Sequence, residues 1–127
     1  ARARRACLKR HGRTPGKVRR LRARALSRTR VVLTFDASGS DRQHAPPART
    51  YLVKQSLRPI RRGRDFARAP ALCRGACRFS PTTVGTKLTL TVTGLRPRTT
   101  YYFAVAARDN VSRRRGPRSL TVRVRTR

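Results

Sequence analysis

The chain has 127 residues, of which 34 are Lys or Arg and four are acidic, giving a formal net charge of +30 at pH 7. That length suits one domain with a basic extension; with 37% hydrophobic and 6% aromatic residues there is material for one modest core and not for a second. No window of about 20 apolar residues occurs, which argues against membrane insertion through a helix. So cationic a surface repels itself when compact and points to partners of negative charge. The acids are all aspartates, and almost all the positive charge is arginine, whose planar fork matches carboxylate and phosphate.

In chain order, residues 1–17 are basic and poor in apolar residues, lack sustained periodicity and close on Pro15-Gly16. They are read as an arm or linker that cannot order itself by burial, with docking through Cys7 and Leu8 as the alternative. The chain begins at Ala1 rather than methionine, which implies a processed chain or a piece of something larger. A folded domain is then expected over residues 18–127. Leu21 falls in a first strand, and Val31, Leu33 and Phe35 alternate in a second. Residues 38–47 form a polar connection in which Asp41 and the serines are expected to bond backbone. Tyr51 and Val53 are the inward residues of the next strand.

Residues 57–84 are less regular and contain Cys73 and Cys77. Gly75 lets the chain turn between them, so a disulfide is the favoured reading, with a reduced buried pair as the alternative. Cys7 and His11 repeat the same spacing. Together with Cys73 and Cys77 they compose a chemically sound Cys₃His zinc set, disfavoured because its halves lie far apart in the chain. Catalysis finds little support: Ser38, Ser40, Asp41 and His44 share one short loop that cannot hold a nucleophile, a base and an orienting group in fixed geometry. No phosphate-cradling Gly-Lys-Ser/Thr motif occurs. The expectation is therefore a chain with no catalytic residues, no metal and no cofactor.

The most legible stretch follows. Leu88, Leu90 and Val92 alternate with threonines up to Gly94, and Tyr101, Phe103, Val105 and Ala107 form a second alternation. Between them stand Leu95, Pro97 and Tyr101. This spacing resembles the tyrosine corner between strands E and F of a fibronectin type III domain, and Val122, Val124 and Thr126 resemble that family's last strand. The resemblance implies an all-β, immunoglobulin-like sandwich of about seven strands behind a basic N-terminal arm. Within it Phe35 takes the place of the family's usual tryptophan, Tyr51 faces inward, and Leu95 plugs the end of the sandwich. Pro97 fixes φ, and the Tyr101 hydroxyl bonds nearby backbone.

The resemblance also implies a kind of function: a non-catalytic accessory, spacer or adhesion module, secreted or on the cell surface, beside neighbouring domains of a larger chain. Two sets of arginines are the candidate anion-binding residues. Arg113, Arg114 and Arg115 are read as the cationic tip of a loop spanning residues 110–117, expected at the same end of the sandwich as residues 38–47. Arg123, Arg125 and Arg127 share one outward strand face by alternation. The partner expected is an anionic polysaccharide or cell-wall polymer. A nucleic-acid-binding basic protein is the second reading, weakened because Tyr102 is the one aromatic expected to face outward and no stacking platform accompanies it; a zinc-stabilised module is the third.

Overall fold

Alternation decides which way each strand faces. In the computed structural model, which describes residues 14–41 and 44–127, Val31, Leu33 and Phe35 are buried while Val32, Thr34 and Asp36 remain half-exposed. The strands are β1 (Arg19–Ala25), β2 (Val31–Asp36), β3 (Gly39–Asp41), β4 (His44–Pro47), β5 (Thr50–Ser56), β6 (Cys77–Arg78), β7 (Lys87–Val92), β8 (Thr100–Arg108), β9 (Arg115–Arg118) and β10 (Val122–Arg125). One sheet has the order β1-β2-β7 and the other β10-β8-β5-β6, with β9 also paired to β8; β3 and β4 form a separate hairpin. Every pairing between these strands is antiparallel. The chain is thus an all-β sandwich, and its core lies between the inner faces of the two larger sheets.

That core joins Val31, Leu33 and Phe35 from β2 to Tyr51, Val53, Phe103, Val105 and Ala107 from the opposing sheet. Three aromatic rings meet at one end of it. Phe79 stands edge-on to both Phe35 and Tyr51, with centroids 5.6 and 5.7 Å away, and Phe35 and Tyr51 are 5.1 Å apart. The Tyr51 hydroxyl accepts the Ser38 backbone N–H at 3.0 Å, so the phenol oxygen is satisfied inside the apolar layer. At the other end Leu95 is buried, and the Tyr101 hydroxyl accepts the Arg96 N–H at 2.9 Å. Thr126 reinforces this corner: its hydroxyl donates to the Arg96 carbonyl and accepts the Thr99 N–H.

Residues 57–84 hold more than an irregular connection. A short helix, α1 (Gly63–Arg68), lies within them. Asp65 starts it by accepting the backbone N–H groups of Arg61 and Arg62 at 3.1 and 2.9 Å, and these bonds hold its carboxyl below the usual carboxylate range. Pro70 follows its last turn. Ile60, Phe66 and Ala69 from this segment cover Ala104 and Ala106 on the outer face of β8, with Leu52 and Tyr102 packed alongside. Tyr102 consequently does not stand free on an outward face as the sequence suggested; it is half-buried against this second apolar cluster.

The described chain packs upstream of residue 18. Pro15 and Gly16 are buried, Gly16 N–H donates to the Gly39 carbonyl at 3.3 Å, and a side chain at Gly116 would collide with the Pro15 backbone. Residues 1–13, including Cys7, Leu8 and His11, lie outside the described residues.

Tyr101→Phe should lower stability by about 1–2 kcal/mol, because the Arg96 N–H loses its acceptor; urea melts of the two proteins measure it, and an unchanged midpoint would show that the bond contributes nothing. The Tyr51 phenol is pushed up to about 12 by burial, against the opposing effect of the Ser38 N–H bond. An unfolded tyrosine ionises near 10, so this group's contribution is complete below about pH 10 and is lost as pH rises towards 12. Absorbance titration of phenolate beside urea midpoints over that range should show the Tyr51 phenol ionising above the ordinary tyrosine range, with the midpoint falling as it does.

Candidate anion-binding groove

The register of the second sheet places arginines that are remote in sequence side by side. Tyr51 pairs with Cys77 on one side and Ala107 on the other, and all three are buried. Their chain neighbours therefore face outward: Thr50 pairs with both Arg78 and Arg108, and Arg108 pairs in turn with Arg115. Arg78 and Arg108 are two strand spacings apart, about 10 Å, with only the short Thr50 side chain between them. Their row opens onto a groove of about 610 Å³, whose lining also includes Arg49, Arg74, Arg113 and Phe79.

Three loops hold the remaining arginines there. Arg49 precedes β5; its N–H donates to the Asn110 Oδ1 at 3.0 Å and its carbonyl accepts the Phe79 N–H at 2.8 Å. Arg74 lies in a 3-10 turn over Cys73–Gly75 closed by the Cys73–Cys77 disulfide, whose Cα atoms are 5.1 Å apart. Cys73 and Arg74 both have left-handed backbone, with φ of 55° and 59°. Non-glycine residues adopt this region at a cost, and both lie within the loop that the disulfide closes. Arg113, with φ of 62°, occupies the turn after β8, where its N–H bonds the Asp109 carbonyl.

Asp109 is the carboxylate beside this cationic groove, but its oxygens are already committed. Oδ1 accepts the Ser40 hydroxyl at 3.0 Å, and Oδ2 accepts the Val111 and Ser112 N–H groups. Burial alone would raise its pKa; these donors outweigh burial and hold the carboxyl below its ordinary value. Asn110 completes the brace, its N–H donating to Ser40 Oγ at 2.9 Å and its Nδ2 to the Pro47 carbonyl at 3.1 Å. The turn after β8 thus meets Ser40 of β3 and Pro47 of β4 at one end of the sandwich.

The arginines singled out from sequence do not form one surface. Arg113 lines the groove, whereas Arg115 opens β9 and places its guanidinium 4.9 Å from the Phe66 ring centroid, over the α1 cluster. Residues 113–115 are therefore not a common tip. Arg114 is exposed in the same turn, where its carbonyl accepts the Asp109 N–H. Arg123 and Arg125 are exposed on β10 opposite Tyr102 and Thr100, and Arg127 is exposed beyond them. Thr100 and Arg108 begin and end β8, about 27 Å apart at strand rise, so this strip lies at the opposite end of the sheet from the groove. Leu95, Pro97 and Tyr101 also belong to that far end. Phe35 and Tyr51 back the groove from inside the core.

Sequence reasoning missed Arg49, Arg74 and Arg78, and did not count Arg108 as a site residue. A signal for Arg108 was present: with Tyr101, Phe103, Val105 and Ala107 inward, residue 108 must face out. Arg78 became readable only through the pairing of the two-residue strand β6 with β5. As for zinc, Cys73 and Cys77 are bonded to each other, so neither offers a thiolate and the Cys₃His set loses half its ligands. Asp41 and His44 have no described side chains. No protein-family model and no curated protein sequence matches this chain.

Replacing Cys73 and Cys77 together by serine should cost about 2 kcal/mol, the chain-entropy value for so short a closed loop. Denaturant melts of the oxidised protein and the double variant measure it. Equal midpoints would mean that the bond holds the loop without stabilising the fold.

Proposed function

We propose that this chain is a fibronectin type III-like, non-catalytic module of a secreted or cell-surface protein, which holds anionic polymers through its arginines beside the other domains of a longer chain. The observation that carries this reading is the cross-strand row of Arg78 and Arg108, opening into a groove with Arg49, Arg74 and Arg113. The fold assignment is supported by the strand order of the two sheets and by the hydroxyl of Tyr101 bonding back to Arg96. The Cys73–Cys77 disulfide suits an oxidising compartment, and among the described residues no helix is long and apolar enough to cross a membrane.

Guanidinium groups bind sulfate, carboxylate and phosphate alike, so an anionic polysaccharide or cell-wall polymer is the partner class. Nucleic acid is the second reading, favoured by the same phosphate chemistry. Against it stands the scarcity of aromatics: Tyr102 packs on the α1 cluster, and Phe79, half-buried against Phe35 and Tyr51, is the single aromatic among the described residues that line the groove. One half-buried ring is not the run of stacking faces that single-strand binders use.

Binding should be broad in selectivity and steeply weakened by salt. On duplex DNA each neutralised phosphate adds roughly 0.9 to the magnitude of the log–log salt slope. Titrations against DNA and an acidic polysaccharide of matched charge density, with the intact chain and one lacking residues 1–13, should give comparable salt-sensitive affinities for both polymers. A preference for DNA that persists at high salt would promote the nucleic-acid reading, and no binding to either polymer at low salt would remove polyanion binding altogether.

A further inference from the structure

Resting on that reading, we infer that the groove between the disulfide loop and the turn after β8 is a defined site for a linear phosphate chain, rather than one part of a diffuse cationic surface. Its lining is dominated by donors. Arg49, Arg74, Arg78, Arg108 and Arg113 each present guanidinium N–H groups and no acceptor. Asp109, the carboxylate at the groove, has both oxygens engaged by Ser40, Val111 and Ser112.

A sugar ring offers hydroxyls that must donate as well as accept, and a base offers ring N–H groups and a flat face. A phosphate chain offers acceptors throughout. It is the ligand whose hydrogen-bonding character is the complement of this lining, and it asks for no aromatic platform. Carboxylate polymers match the charge of the groove, but they carry their acidic groups on hydroxyl-bearing rings.

Number and placement argue for a chain rather than a lone ion. Arg78 and Arg108 are separated by two strand spacings, about 10 Å, and Arg49, Arg74 and Arg113 enter from three different loops. One phosphate has too few oxygens to receive all five forks, whereas several linked phosphates can take them in succession. A volume of about 610 Å³ falls within the range of sites that enclose small ligands, about 300–1,000 Å³. None of the five guanidinium groups pairs with a carboxylate among the described residues, so their mutual repulsion is relieved when an anion bridges them.

The backbone that carries the site is set in advance. Arg74 sits in left-handed backbone within the loop closed by Cys73 and Cys77, the Arg49 N–H is bonded to Asn110, and Arg78 and Arg108 are placed by register. A backbone ordered before binding removes part of the entropy that arginines on a mobile segment would lose on complex formation.

The test uses a substitution that keeps the net charge. In R78K/R108K the two groove positions retain positive charge but lose the planar fork; R123K/R125K is the matched change at the far end of the sheet. Calorimetric titration of the full oxidised chain with tripolyphosphate at moderate salt should show R78K/R108K weakened about tenfold or more, as expected for loss of bidentate contacts, and R123K/R125K unchanged. Thermal melts should be alike for all three proteins, since these side chains are not in the core.

A carboxylate polysaccharide should bind the three proteins equally, because it senses overall charge. Longer inorganic polyphosphate and poly(glycerol phosphate) should both compete with tripolyphosphate, and the tighter competitor identifies the phosphoanhydride or phosphodiester source. The inference is overturned if R78K/R108K binds tripolyphosphate as the unaltered chain does, or loses carboxylate polysaccharide to the same degree. It is overturned in favour of nucleic acid if single-stranded DNA of equal phosphate number binds more tightly than polyphosphate. Each of these results leaves general polyanion binding standing, which fails only if the unaltered chain holds no anionic polymer at low salt.

Discussion

The pairing of β5 with β8 is the constraint on which the rest of the molecule depends. It runs without a break from Thr50 opposite Arg108 to Ser56 opposite Tyr102. Because side chains alternate along each strand, this one register assigns both faces of the sheet. Inward it lines up Tyr51 with Ala107 and Val53 with Val105, the centre of the core. Outward it sets Leu52 against Ala106 and Lys54 against Ala104 under the helical cap, and Thr50 against Arg108 at the mouth of the groove. A slip of one residue would expose the core and bury arginine. Cohesion of the core and alignment of the cationic groups are consequences of the same hydrogen-bonded ladder.

Holding together a chain of +30 requires that its few negative groups be used with economy, and the fold gives them local jobs. Asp65 starts α1, and Asp109 ties the turn after β8 to β3. Asp36 lies 3.5 Å from the exposed Arg20 guanidinium, a surface pair of small energetic weight. The cations are managed by placement. Lys54 spans the outer face of β5, donating to the Ala67 and Ala69 carbonyls with its ammonium 5.5 Å from the Phe66 centroid; desolvation first, and the nearby Arg115 second, lower its pKa. Residues 79–95 carry Lys87 as their only charge, so β7 adds little to the repulsion across the sandwich.

Much of the sandwich was legible because its strands alternate cleanly. Leu88 and Val92, then Tyr101, Phe103, Val105 and Ala107, are buried as a period of two requires, and the Leu95, Pro97, Tyr101 spacing marked the connection between them. The disulfide was legible from a short separation with a glycine inside it. Helix α1 was not: Phe66 is its one buried residue, flanked by Ile60 and Ala69 amid arginines, and its start relies on Asp65 reaching back to backbone rather than on a Ser, Thr or Asn cap. The groove was illegible for a different reason. Arg49, Arg74, Arg78, Arg108 and Arg113 converge through strand pairing and turn geometry, neither of which leaves a local periodic trace. In a chain so rich in arginine, composition cannot tell the converging residues from those merely solvated.

The contact at Gly116 bears on how the domain would carry a mechanical load. Pro15 fits against β9 because residue 116 has no side chain, and the neighbouring Gly16 is bonded to Gly39. Tension arriving through the polypeptide upstream of Thr14 would meet this clasp before it reached β1. The force would pass first to β9 and to the β3–β4 hairpin, both attached to the loops that frame the arginine groove. In a tethered module, pulling and ligand holding would share one structural route, with glycine at position 116 as its buckle.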